Sequence, residues 1–169
     1  MEVQEKSRGG VTLIATLCKS FTFDAAHQLV GHKGKCQNLH GHTYKLEVFI
    51  TGEVNRDYGS SDEGFVVDFS EVKEIVKREI VDPMDHAFLV CGNEPALDKV
   101  LTKKYYLGFR STCENMAGYI LYKLSRVWPP HLPPVTKIRL WETPTGYAEV
   151  SLEGHDLDQI VREMVGGAE

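Results

Sequence analysis

His40-Gly41-His42 is the chemically richest stretch of the chain, with Cys36 four residues before it and His27 thirteen before His40. Two histidines at i and i+2 in an extended segment point to the same side of the backbone. The run that follows, Thr43-Tyr44-Lys45-Leu46-Glu47-Val48-Phe49-Ile50, alternates like a strand and puts His42, Tyr44, Leu46, Val48 and Ile50 on one face. His40 and His42 can therefore aim both imidazoles at one point. His27, closing the strand-like stretch Phe21-Thr22-Phe23-Asp24-Ala25-Ala26, can supply a third. Three neutral imidazoles with an open fourth position form the donor set of a catalytic zinc rather than a structural one.

A His-X-His pair alone is a weak signal, because most histidines are ordinary surface or core residues. Its company strengthens it. Cys36 sits among the histidines and beside Lys35, the kind of electropositive setting in which a thiol becomes reactive. It can act as a base or serve as a fourth zinc ligand, which would close the site. Asp85-His86 is a second acid/base unit, since a carboxylate that hydrogen-bonds an imidazole fixes its tautomer and raises its basicity. Sequence neighbours do not automatically bond each other, so this unit can equally be brought to Cys36 from an adjacent chain. Glu142, between Trp141 and Thr143 at the end of a predicted strand, is either a cross-strand ion-pair partner or the acceptor of two parallel hydrogen bonds from an N–H/NH2 edge.

Positioning these groups takes a small set of elements. Residues 11–27 read as a long strand, bulged near Asp24-Ala25-Ala26, and 42–52 as its antiparallel partner, with a Gly-, Lys- and His-rich functional loop over 31–41. Asp68 with Glu71 makes an N-terminal capping pattern. Val72, Ile75, Val76 and Ile80 then share a helical face, and Pro83 ends the helix. A second helix starts at Ser111 or Thr112, with Ser111 and Glu114 as a capping box and Met116, Ala117, Ile120, Leu121 and Leu124 as its apolar stripe. Two further strands, 135–143 and 146–153, flank a turn at Thr145-Gly146. The expected order is ββααββ: an α+β domain with an antiparallel four-stranded sheet and two helices on one face. Over 90–110, Leu97, Val100 and Leu101 suggest a short helix and Tyr105–Phe109 a short strand, while Lys103-Lys104 reads as a solvated face. Such a sheet needs cover for its other face and its edges.

At 169 residues the chain is one domain by length, 11–169, preceded by a flexible polar arm over 1–10. With 42% apolar and 25% charged residues it has the composition of a soluble globular protein. A net charge of −5 argues against a nucleic-acid-binding surface and hence against a zinc-stabilised nucleic-acid module. No apolar run approaches a membrane span, and the start lacks the layout of a signal peptide, so a cytoplasmic protein with no membrane partner is the expectation. Four scattered cysteines (18, 36, 91 and 113) suit free thiols.

Four blocks, Phe23-Asp24-Ala25-Ala26-His27, Cys36-Gln37-Asn38-Leu39-His40-Gly41-His42, Met84-Asp85-His86-Ala87-Phe88-Leu89 and Trp141-Glu142-Thr143-Pro144, resemble in order the signature blocks of the 6-pyruvoyltetrahydropterin synthase superfamily. The resemblance runs from about residue 13 to residue 152. It implies the tunnelling fold, in which subunits pair their edges into a closed barrel, and a homo-oligomer, a hexamer of two trimers. It implies zinc on His27, His40 and His42, catalytic roles for Cys36, Asp85 and His86, and a pterin anchored by Glu142 with Thr112 lining the pocket. Ser111-Thr112-Cys113-Glu114 departs from the family's Pro-Thr-Ser/Ala-Glu, a change that bears on loop stiffness.

Within the superfamily, the three-residue gap between Cys36 and His40 resembles the 6-carboxytetrahydropterin synthases of the queuosine pathway. Pyruvoyl synthases typically carry two more residues there, and a folate-linked branch has glutamate in place of the cysteine. The implied reaction converts dihydroneopterin triphosphate to 6-carboxytetrahydropterin with release of acetaldehyde and triphosphate. Lys33, Lys35 and Arg110 are candidates to meet the triphosphate. Triphosphate elimination, as in the pyruvoyl synthases, and a non-catalytic zinc- or pterin-binding module are the alternatives.

Overall fold

Two strands of equal length set the frame. β1 (Ile14–His27) and β2 (His40–Glu53) pair antiparallel without a break from Ile14↔Glu53 to His27↔His40. The computed structural model describes residues 11–92, 103–154 and 156–166. The arm over 1–10 and the helix suggested by Leu97, Val100 and Leu101 lie outside the described residues.

The sheet continues from both members of this pair. β5 (Val135–Thr143) runs antiparallel to β2, and β6 (Gly146–Ser151) antiparallel to β5. On the other side β3 (Ala87–Val90) pairs parallel with Ala25–His27 of β1, and β4 (Lys104–Tyr106) pairs parallel with β3. The strand order is β4-β3-β1-β2-β5-β6. The expected four-stranded antiparallel sheet is thus the larger part of a six-stranded mixed one. β3 is four residues long and buried throughout, and β4 is three residues long. β3 is too short to show the alternation by which a strand is read from sequence, whereas β4 overlaps the short strand expected over Tyr105–Phe109 and ends at Tyr106. The expected bulge at Asp24–Ala26 is absent from the β1–β2 pairing, and the register shift falls instead at Phe49/Ile50, opposite β5.

The helices form where the caps allow. Asp68 accepts a hydrogen bond from the Ser70 N–H at 2.7 Å and opens α1 (Phe69–Val76). The helical path then widens into a π turn over Lys77–Val81 and closes at Asp82–Met84. Pro83 therefore does not stop it. It lies in the first turn of that last segment, where its missing N–H costs nothing. α2 (Cys113–Val127) is capped by Thr112, whose hydroxyl accepts from the Asn115 N–H at 3.4 Å. A third helix, α3 (Leu157–Gly166), packs on α2 and was not anticipated.

Val72, Ile75, Val76 and Ile80 from the first helical run join Met116, Ile120, Leu121 and Leu124 of α2 in one core with Tyr44, Leu46, Val48 and Ile50 of β2. Both helices therefore cover the same face of the sheet, as expected. Each fully buried aliphatic contributes about 1.5–3 kcal/mol to holding that face shut. The opposite face is polar: Lys45 and Arg139 meet Glu47 at 2.7 and 3.4 Å, and Arg139 meets Glu149 at 2.7 Å. Among the described residues no helix is long and apolar enough to cross a membrane.

Candidate functional site

The β1–β2 register delivers the histidines. His27 ends β1 directly opposite His40, which begins β2, and His42 follows two residues on, on the same face. The ring centroids lie 4.6 Å (His27–His40), 5.2 Å (His27–His42) and 4.9 Å (His40–His42) apart, and one ligand atom from each falls within 4.8 Å of the other two. His27 is buried and the other two are half-buried.

The hydrogen bonds around the rings orient them. Nδ1 of His27 lies 2.9 Å from the Ser111 carbonyl oxygen, and Nδ1 of His40 lies 2.7 Å from the Asn38 carbonyl oxygen. A carbonyl only accepts, so Nδ1 carries the proton in both rings and each Nε2 presents a lone pair. Those two lone pairs face each other at 3.1 Å, and Nε2 of His42 is buried with no hydrogen-bond partner among the described residues. Three ring nitrogens gathered within 4.8 Å, two of them oriented by outer-shell carbonyls, fit a tetrahedral metal with nitrogen preference such as zinc. Burial lowers the pKa of His27 and of His42, against the opposing pull of the Ser111 carbonyl on the first and of Glu142 on the second. Both rings are thus kept in the neutral form a metal needs.

Glu142 closes one side of the triad, with Oε1 3.9 Å from His27 Nε2 and 4.0 Å from His42 Nε2. Thr112 and Cys113, at the start of α2, follow the Ser111 whose carbonyl meets His27. The Cys113 thiol donates to the Leu140 carbonyl at 3.1 Å, and burial pushes it up to about 11, so it stays protonated at neutral pH. The Tyr44 hydroxyl is buried with no hydrogen-bond partner among the described residues, and burial raises it well above the ordinary phenol range. Cys36 sits half-buried in a short 3-10 turn, Lys35–Gln37, whose position is fixed by the Leu29 N–H donating to the Cys36 carbonyl at 2.9 Å. Its sulfur is not among the ligand atoms that cluster with the triad. Lys33, Lys35 and Arg110 are exposed.

Asp85 and His86 do bond each other, Nδ1 to Oδ2 at 2.9 Å, but elsewhere. They gather around Asp24. By strand alternation Asp24 and its partner Thr43 point to the face opposite the triad. A cavity of about 510 Å³ lined by Asp24, Thr43, His86 and Lys103 among others reaches His42 at the edge of the triad. The Asp24 N–H, then His86, hold the Asp85 carboxyl below its usual range. One chain therefore brings His27, His40, His42 and Glu142 to one locus and Asp85-His86 to another, while Thr112 directly follows Ser111, whose carbonyl meets His27. Sequence reasoning missed the Ser111 and Asn38 carbonyls, since a backbone group leaves no side-chain signal. It also read Lys103 as solvated, although its ammonium bonds two backbone carbonyls.

The model of the family described as 6-pyruvoyl tetrahydropterin synthase matches residues 16–153. A 6-carboxy-5,6,7,8-tetrahydropterin synthase of Haemophilus influenzae is 43% identical over 140 residues, 79% of this chain and 96% of that protein. A protein of the same name from Rickettsia bellii is 34% identical over 138 residues, 76% of this chain and 94% of that protein. Among solved structures, the 6-pyruvoyl tetrahydropterin synthase of Caenorhabditis elegans superposes with a TM-score of 0.61 at 27% identity, over 82% of this chain and 96% of that one. With matches of this extent in sequence and in fold, the chain belongs to the 6-pyruvoyl tetrahydropterin synthase family.

Proposed function

We propose that this protein is a zinc-dependent 6-carboxytetrahydropterin synthase, converting dihydroneopterin triphosphate to 6-carboxytetrahydropterin with release of acetaldehyde and triphosphate. The observation that carries the reading is the convergence of three imidazole nitrogens beside the Glu142 carboxylate. The names of the relatives and the three-residue gap from Cys36 to His40 support the carboxy branch. His27, His40 and His42 would hold the zinc, which when bound supplies Lewis-acid polarisation of a substrate oxygen. Glu142 receives the N–H/NH2 edge of the pterin through two parallel hydrogen bonds, with Thr112 lining that end of the pocket. Cys36 accepts a proton from the substrate side chain, and Asp85-His86 acts as the second acid/base pair. Lys33, Lys35 and Arg110 provide cations for the triphosphate.

The test is incubation of the zinc-loaded protein with dihydroneopterin triphosphate, measuring acetaldehyde and triphosphate together. Equimolar release of both is the expected result. Triphosphate without acetaldehyde would transfer the protein to the pyruvoyl reaction, and pterin binding with neither product would leave a non-catalytic module.

The proposal includes assembly into a homo-oligomer, a hexamer of two trimers. Three features support it. Among the described residues, β1 is paired on one side only from Ile14 to Asp24, because β3 reaches only Ala25–His27. β6 forms the other edge of the sheet, and edges of this length call for a partner. The acid/base pair and the triad lie on opposite faces, so a neighbour's Asp85-His86 can reach a triad that its own chain does not serve. Sedimentation should give about six times the 19.0 kDa chain mass. A mass near one chain in an active preparation would reject the assembly.

A further inference from the structure

We propose that Lys103 is a positioning residue for the Asp85-His86 pair, an inference that rests on the reading of that pair as the acid/base unit. His86 is the single non-glycine residue at positive φ among the described residues, at +58°. A side chain held in that left-handed region persists only where its surroundings over-determine it. The chain reaches it abruptly: Asp85, with ψ 129°, has already left the helical path that ended at Met84.

Four hydrogen bonds hold this turn. The His86 N–H donates to the Asp24 carbonyl at 2.6 Å, and the Asp24 N–H donates to Asp85 Oδ1 at 2.9 Å. Both come from β1 and fix the near side. The far side is fixed by Lys103, whose ammonium donates to the Asp82 carbonyl at 2.7 Å and to the Asp85 carbonyl at 2.5 Å. The Asp85 carbonyl belongs to the peptide that joins Asp85 to His86. Pinning its oxygen sets the plane of that peptide, and with it ψ of Asp85 and φ of His86. The imidazole direction follows from that plane. Without the ammonium, only the His86 N–H bond to Asp24 holds that peptide, so it can tilt to relieve φ and loosen the ring's 2.9 Å contact with Asp85. Lys103 is exposed and lines the same cavity as His86, so a small cation in solution can reach its place.

Lys103→Met should lower kcat by about 10- to 100-fold, the loss expected when a reacting group is misplaced by about an ångström. KM, zinc content and sedimentation mass should stay at wild-type values. Lys103→Ala should show the same defect and regain part of its kcat with added ethylammonium, which a purely structural lesion would not. His86→Ala is run alongside. If it loses turnover while Lys103→Met keeps wild-type kcat, Lys103 has no positioning role. If Lys103→Met and Lys103→Ala lose zinc or assembly together with kcat and no amine restores either, the role is structural and the inference is overturned. Wild-type turnover in His86→Ala would overturn the acid/base reading and the inference with it.

Discussion

His40→Ala should emerge from purification without stoichiometric zinc and without activity, with its sheet intact. His40 supplies one of three nitrogen donors, and its Nδ1 is already committed to the Asn38 carbonyl. The loss of an outer-shell partner alone typically costs about 10- to 100-fold in metal affinity, and removal of the ligand itself should exceed that. The fold does not depend on the ring. His27 and His40 face each other through backbone pairing, and the core packs around Tyr44, Leu46, Val48 and Ile50 further along β2. Elemental analysis is the readout, with circular dichroism to show that the strands remain. Full zinc occupancy in this variant would remove the triad as the metal site.

Cys36→Ala should separate two roles for the thiol. As a base, Cys36 is dispensable for zinc and for pterin binding, and its loss should reduce turnover by about 10² or more. As a fourth ligand, its loss should lower zinc affinity in step with activity. The turn that carries it is held through its carbonyl, which alanine retains, so the loop should keep its path. Product formation is the measurement to make, because three other cysteines confuse alkylation. Burial raises two of these, Cys18 and Cys113. Acetaldehyde release at the wild-type rate would exclude Cys36 from the mechanism and leave Asp85-His86 as the sole acid/base pair.

The meeting of the three imidazoles was legible in the sequence because strand alternation is a strict geometric rule and His40 and His42 obey it. The stripes of both principal helices were legible for the same reason, from the 3.6-residue period. What the sequence concealed falls into two kinds. Short buried strands such as Ala87–Val90 have no period to display. Backbone partners such as the Ser111 and Asn38 carbonyls have no side chain to announce them. Asp85-His86 shows a third difficulty: the dipeptide was recognisable, but its place on the far face of β1 depends on β3, the strand that could not be read.

The unbroken pairing of β1 with β2 also bears on which changes of length the protein can absorb. Asp24↔Thr43 and His27↔His40 are rungs of one ladder, three residues apart, serving opposite faces. Deleting or inserting one residue between them would turn either the histidines to the polar face or Asp24 toward the core, because only one side of the change can keep its register. The connecting segment over 28–39 lies outside this ladder and can gain or lose residues while both rungs hold. Evolution by indel is thus open in the loop that carries Cys36 and closed in the strands that carry the histidines, so the gap before His40 is where family members are free to diverge.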